Sequence, residues 1–234
     1  MRIAAPIALV LVCACSLGAQ MTATISRNGQ EVRIRNSSPL SLAAYAITVK
    51  ATTAGRPTSI PIYSDTEIDT DAKPLLANQD RVIMGGPAYF PLPERVPAPR
   101  FEEPVVTAGI YADGSTTGDT LLLHWLLLRR SSTLLAVETS LEALTEAERQ
   151  GASRYDLIVR FKRMTESLHR WYLGPELQIG LRVYQPILGQ LVNMQKGKEG
   201  SPDPLTVFLE EETAALRRQR IKLSESQPSL AMLH

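Results

Sequence analysis

The chain has 234 residues, of which 44% are hydrophobic, with 25 basic and 24 acidic side chains. This hydrophobic fraction is sufficient for a packed core and excludes an intrinsically disordered protein. A formal net charge of +1 provides no general attraction to nucleic acid or to an anionic membrane surface, so neither is expected as a partner.

The N-terminus has the features of a secretory signal peptide. Arg2 provides a short basic start, residues 3–12 are apolar, and small residues lead to Ala19. We therefore assign residues 1–19 to a signal peptide and expect an exported protein, periplasmic or secreted. The small-residue box that ends at Cys15 leaves lipid attachment through Cys15 as an alternative to cleavage after Ala19. Either cut removes Cys13, so no disulfide is expected within the mature chain.

Short strands separated by turn residues fill the first half of the chain. Asn28 and Gly29 form the dipeptide that best suits a type I′ turn, which predicts a hairpin between strands at 22–27 and 30–35. Further strands are predicted at 41–51, 58–64, 81–84 and 105–111. Strands that follow one another without intervening helices predict a small antiparallel sandwich.

Two segments carry a resemblance to a known group. The run VRIRNSSPLSLAAYAI at residues 32–47 resembles the strand, Asn-Ser turn, strand signature of Ig-like β-sandwich modules in exported bacterial proteins. The run AGIYADGSTTGD at residues 108–119 is similar to a segment of uncharacterised bacterial secreted proteins. The resemblance implies an Ig-like fold for the first half, and it carries no catalytic residue.

Residues 86–104 contain six prolines in nineteen positions. Such a segment is incompatible with a helix or a central strand and predicts an extended surface loop. A docking segment for an aromatic groove is the alternative, although no Pro-x-x-Pro spacing is present.

The pattern changes from strand to helix within residues 109–120. Helices are predicted at 121–150, 153–172, 176–195 and 205–223, with Thr117, Asp119 or Thr120 as the first cap and Gly151 as the first stop. Pro186 should bend or break the third helix. The chain is thus predicted to be α+β, with a signal peptide (1–19), an Ig-like β-sandwich (20–117), an α-helical bundle (118–223) and a flexible tail (224–234).

The first helix carries two features relevant to partners. Its apolar run at residues 121–128 is eight residues long and is stopped by Arg129 and Arg130, too short for a membrane span. A seam of apolar residues along the same helix predicts packing against another helix, either in the same chain or in a homo-oligomer. The seam consists of Leu127, Leu134, Val137, Leu141 and Leu144.

Four carboxylates occupy alternate positions, Asp65, Glu67, Asp69 and Asp71. On an extended segment they would project to one side, a geometry able to hold Ca²⁺ through oxygen ligands. The competing interpretation is a solvated strand edge whose charge discourages aggregation between sheets.

A second row of carboxylates lies on the first helix. Glu138, Glu142 and Glu146 repeat every four residues and so share one face. This row could bind a metal or a basic partner, but the favoured interpretation is pairing with the basic residues of an antiparallel second helix. Those residues are Arg160, Lys162 and Arg163.

No nucleotide loop, histidine metal motif or nucleophile motif is present, so no cofactor and no catalytic residue are assigned. These absences, beside a fold widely used for binding, predict a non-enzymatic protein that recognises or scaffolds an unidentified protein partner in the cell envelope. One alternative is a hydrolase whose carboxylates meet at the junction of sandwich and helices, with Asp113, Asp119 and Glu138 as candidates. The other is a Ca²⁺-stabilised adhesion module.

Overall fold

The structure, a computed structural model, describes residues 20–26, 31–53, 56–69, 72–85, 100–170, 178–195, 197 and 202–226. Within these ranges the chain is a mixed α+β protein in which two antiparallel sheets precede four helices. The strands are β1 (Met21–Ile25), β2 (Glu31–Asn36), β3 (Leu42–Thr53), β4 (Arg56–Asp65), β5 (Asp80–Gly85), β6 (Arg100–Tyr111) and β7 (Thr116–Gly118). The helices are α1 (Thr120–Gln150), α2 (Arg154–Arg170), α3 (Gln178–Asn193) and α4 (Pro204–Glu225).

One sheet has the strand order β1-β2-β5 and the other the order β4-β3-β6-β7. The predicted pairing of the first two strands is confirmed, because Thr24 lies opposite Arg33 in an antiparallel ladder. The Asn28-Gly29 turn itself, the signal peptide with Cys15, and most of the proline-rich segment lie outside the described residues.

The proline-rich loop was predicted to extend to Pro104, but β6 already begins at Arg100. Pro104 lies opposite Val49 of β3, on a part of β6 that β7 does not reach. Its missing N–H therefore removes no ladder bond on that side. Pro57 and Pro61 are accommodated for the same reason, since β4 is an edge strand.

The two sheets share one hydrophobic core, to which both contribute fully buried side chains such as Ile34 and Ile47. The alternation predicted for the second strand is confirmed, since Val32 and Ile34 are buried while Arg33 and Arg35 are more exposed. The opposite face of the four-stranded sheet is also covered. There the small side chains of β3 and β6 allow α1 to approach closely and pack Leu123, Leu126 and Leu127 on Ala44, Ala46 and Ala108.

Helix α1 belongs to two cores. Its first half packs on the sheet, and its second half joins α2, α3 and α4 in a separate cluster that includes Leu144, Phe161 and Leu191. The predicted seam is largely covered within this one chain, because Val137 and Leu144 are fully buried and Leu134 and Leu141 pack against the same cluster. In the described part of the chain, no helix is both long enough and apolar enough to cross a bilayer.

The ends of α1 are those predicted. The Asp119 carboxylate accepts a hydrogen bond from the Leu122 N–H at 3.0 Å, and Gly151 ends the helix in a left-handed conformation (φ 63°). Of the bend or break expected at Pro186, the break is wrong, since α3 continues through the proline as one helix from Gln178 to Asn193. Burial of Ile187 and Leu191 directly after the proline explains why packing overrides its local preference.

Candidate functional site

The acidic segment that follows β4 in the chain forms a turn that packs against the helices. Asp65 is the last residue of β4, and residues 66–68 form a turn rather than a continuation of the strand. Ile68 leaves the sheets entirely and is 8% exposed in the core of the helical cluster. The alternating one-sided geometry expected for an extended segment is therefore not formed.

Asp65 and Arg130 make a buried bidentate ion pair between β4 and α1. Nε of Arg130 donates to Oδ2 of Asp65 at 2.7 Å, and Nη2 donates to Oδ1 at 3.0 Å. The side chain of Arg130 is 2% exposed and that of Asp65 is 0% exposed. Nη1 of the same guanidinium donates to the backbone carbonyl of Ser226, the residue that caps α4, at 2.8 Å. The expectation of a solvated edge is thus wrong for Asp65, because a guanidinium from another element compensates its charge.

The next two carboxylates bind two further helices. Glu67 lies 3.5 Å from Nζ of Lys222 on α4, and Asp69 accepts a hydrogen bond from Arg182 on α3 at 2.7 Å. The three carboxylates therefore diverge to three different cations, while Asp71 lies outside the described residues. Among the residues the structure describes, no three His, Cys, Asp or Glu side chains are grouped to hold a metal ion.

Arg129 is a second buried guanidinium at the same junction. Its side chain is 4% exposed, and its Cζ lies 5.3 Å from the ring centroids of both Tyr63 and Trp125. Burial lowers the pKa of Arg129, and the negative charge of Asp69 opposes that shift. The two aromatic faces add cation–π attraction to this guanidinium, whose Nη1 has no hydrogen-bond partner within the described structure.

A cleft of about 400 Å³ opens between this turn and the helices α1, α3 and α4. Its walls include four buried apolar side chains, and Asp69 and Arg182 lie at its more exposed rim. The apolar walls are Ile68, Ile179, Val183 and Leu216. A cleft of this size, with apolar walls and polar groups beside them, has the general form of a small-molecule site.

Glu212 of α4 is the polar group that stands out in the cleft. It is partly buried, and burial raises the pKa of its carboxyl above the ordinary value. No basic side chain in the described residues lies within 4.0 Å of it. The carboxylate is thus desolvated without a compensating charge.

We expect Glu212→Gln to stabilise the protein at neutral pH and to have little effect near pH 4. A carboxyl whose pKa is raised on folding favours the folded state below its unfolded pKa, and that contribution is lost as pH rises through the folded pKa. The amide has no such titration. Melting temperatures measured between pH 4 and pH 8 should show the variant melting increasingly above the unmodified protein as pH rises. A constant difference between the two proteins would contradict the raised pKa of Glu212.

The three candidate catalytic carboxylates are not brought together. Asp113 accepts hydrogen bonds from the Ser115 N–H at 2.9 Å and its hydroxyl at 2.6 Å, which lower the pKa of Asp113. Asp119 caps α1. Glu138 lies further along the same helix, about 28 Å from Asp119 at 1.5 Å per residue. This geometry does not favour the hydrolase alternative.

The outer face of α1 carries an exposed leucine row. Leu121, Leu128 and Leu135 are 77%, 42% and 65% exposed, although the opposite side of the same helix is buried. They repeat every seven residues, so they lie almost in line along about 21 Å of helix. Sequence reasoning missed this row because the inward and outward leucines belong to one continuous apolar run.

The leucine row leads into an acidic groove of about 430 Å³ between α1, α2 and α4. Glu142 continues the seven-residue spacing, with Glu138 and Glu146 beside it, and Arg160 and Arg220 line the same groove. Within the described residues the predicted direct pairing of this row with α2 is not formed, because Glu146 pairs with Arg149 of its own helix at 2.5 Å. The hydrogen bond from Arg149 lowers the pKa of Glu146, and the charge of Arg160 on α2 adds to this shift from a greater distance. Glu138 and Glu142 have no cation within 4.0 Å in the described ranges.

Comparison of the chain with protein-family models, with curated proteins and with solved structures gives no significant match.

Proposed function

We propose that this is an exported, non-enzymatic protein that recognises a protein partner through the outer face of α1. The observation that carries the proposal is the exposed row of Leu121, Leu128 and Leu135, of which Leu121 is the most exposed, at 77%. Single exposed leucines are ordinary on a protein surface, but three aligned on one helix form an apolar strip, which the exposed polar residues His124 and Ser131 interrupt. Contact with a partner would remove this strip from water.

The spacing of the leucines supports a helix as the occupant. Helices that pack side by side repeat their contacts every seven residues, with two contact positions in each repeat. The three leucines fill one of these positions in each repeat of α1. The partner would present apolar side chains at the same spacing. Its length along the strip would be about 21 Å, or four turns of helix.

Charge supports a basic end on that partner helix. The carboxylates of Glu138 and Glu142 follow directly after Leu135 on α1 and are not paired with a cation in the described residues. A lysine or arginine on the partner would find two acceptors there. Arg160 and Arg220 line the same groove, which would confine the attraction to the α1 side and favour one direction of the partner helix.

The finer description of the fold belongs to the same proposal. We infer an Ig-like β-sandwich followed by a helical bundle, supported by the shared core of a three-stranded and a four-stranded antiparallel sheet and by the common helical cluster. The resemblance of residues 32–47 to exported bacterial modules supports the sandwich, and the apolar leader supports export.

We expect Leu128→Glu to weaken binding of a helical probe at least tenfold, about 1.4 kcal/mol. The probe is a labelled synthetic amphipathic peptide with leucine at every seventh position and two lysines at the end that meets Glu138 and Glu142. Fluorescence anisotropy of the purified chain without its leader would measure the affinity. Glu142→Gln should lower the affinity for the peptide at low salt and leave the affinity at high salt nearly unchanged, so that binding becomes less dependent on salt.

Ile221→Glu is the matched control, because Ile221 is 51% exposed on α4 but lies outside the leucine row. It should leave the peptide affinity unchanged. Equal weakening by both variants, or no binding at all, would contradict the proposed surface. A dimer by light scattering that Leu128→Glu dissociates would assign the strip to a second copy of this chain instead.

A further inference from the structure

We propose that the cleft between the acidic turn, α3 and α4 binds a small organic cation with an apolar body, such as a primary alkylammonium ion. The site is separate from the outer face of α1 and does not depend on the function proposed for that face. Three observations carry the proposal: the volume of the cleft, its apolar walls and the uncompensated carboxylate of Glu212.

The volume and the walls favour an apolar ligand body. The cleft measures about 400 Å³, within the range of about 300–1,000 Å³ that small-molecule sites occupy. Ile68, Ile179, Val183 and Leu216 line it and are each less than a tenth exposed, so they belong to packed elements rather than to a shallow surface depression. An alkyl chain placed between them would leave water at little entropic cost to the protein.

The polar group selects the charge of the ligand. Glu212 is the one lining carboxylate in the described residues without a cationic partner, since Asp69 is already bound to Arg182 at 2.7 Å. An ammonium group beside Glu212 would replace the lost hydration of the carboxylate by an ion pair. Gln219, one helical turn beyond Ala215 on α4, adds an amide oxygen as a second acceptor.

The remaining charges set the orientation of the ligand. Arg182 and Asp69 lie at the rim of the cleft and neutralise one another, and the charges of both act on the buried Arg129, which does not line the cleft. A cation is therefore attracted to Glu212 on the α4 side rather than to the rim. An anionic ligand would meet an unpaired carboxylate, which predicts discrimination between ligands of equal length and opposite charge.

The test compares three six-carbon probes, n-hexylammonium, 1-hexanol and hexanoate, by two-dimensional amide NMR titration of the chain without its leader. We expect hexylammonium to bind at least fivefold more tightly than hexanol, with shifts centred on α3 and α4, and hexanoate to bind most weakly. Glu212→Gln should reduce hexylammonium affinity to that of hexanol.

Glu211→Gln is the control, because Glu211 is an exposed carboxylate on the same helix that does not line the cleft. It should preserve the preference for hexylammonium. Ala215→Phe, which fills part of the cleft, should abolish the shifts of all three probes. Equal affinity for the three probes, a preference that survives Glu212→Gln, or no shifts in the cleft would overturn the proposal.

Discussion

Replacing Arg130 with Met should lower the free energy of unfolding by about 3–5 kcal/mol. The substitution leaves the Asp65 carboxylate, which is 0% exposed, without the guanidinium that donates to both of its oxygens. It also removes the donor to the Ser226 carbonyl at the end of α4. Urea unfolding followed by circular dichroism would measure the loss.

The double variant Asp65→Leu with Arg130→Met distinguishes loss of the pair from loss of one partner. Removing both charges together should recover most of the stability, because the cost of a broken buried pair arises mainly from the charge left behind. Lys50→Met is the control, since Lys50 pairs with Glu103 on the surface at 2.6 Å and both side chains are largely exposed. It should leave the unfolding midpoint within experimental error. A double variant as unstable as Arg130→Met would show that Arg130 acts through α4 rather than through Asp65.

The secondary structure was predictable where local signals determine it. Alternation of apolar and charged residues placed β2, since Val32 and Ile34 are the residues that the sheet buries. The helix stop at Gly151 is equally local, because glycine, which has no Cβ, adopts the left-handed backbone conformation without steric strain. The strand β7 was missed because a three-residue strand has no periodicity of its own and exists only by pairing with β6.

The junction was not predictable, because its chemistry comes from residues far apart in the chain. Asp65 and Arg130 are separated by 65 positions, and nothing beside either residue indicates that the other will neutralise it. Arg129 and Arg130 were interpreted as the polar end of an apolar run, whereas both are buried. The two adjacent arginines within a leucine-rich helix indicate only that buried cations need partners, and they do not identify Asp65 as the partner of Arg130.

The outer leucine row illustrates a different limit. Residues 121–128 are apolar nearly all around the helix, so periodicity does not tell which face the sheet will cover. The alanines of β3 and β6 decide it, because they allow the face with Leu123, Leu126 and Leu127 to approach. Leu121 and Leu128 are left outside only as a consequence of that contact.

Gly118→Ala should lower the free energy of unfolding by about 3 kcal/mol or more, from two causes that act together. The residue has φ 103°, which an L side chain adopts only with strain, and an added Cβ would lie 2.3 Å from the Thr107 carbonyl oxygen. That oxygen also accepts the hydrogen bond from the Asp119 N–H at 2.8 Å, so its displacement disturbs the residue that caps α1. Urea unfolding and hydrogen exchange at the first turn of α1 would measure both effects.

Two further glycines separate the two causes. Gly114→Ala introduces a side chain at φ 85° but in open space, so it should cost only the conformational term, about 1–2 kcal/mol. Gly189→Ala lies in α3, where an added Cβ meets nothing within 4 Å, and should stabilise the protein by about 0.4–1 kcal/mol. If Gly118→Ala cost no more than Gly114→Ala, the close approach of β7 to β6 would not be what holds the start of α1. A larger cost, with faster exchange in the first turn, would mean that this contact fixes the helix whose outer face carries the leucine row.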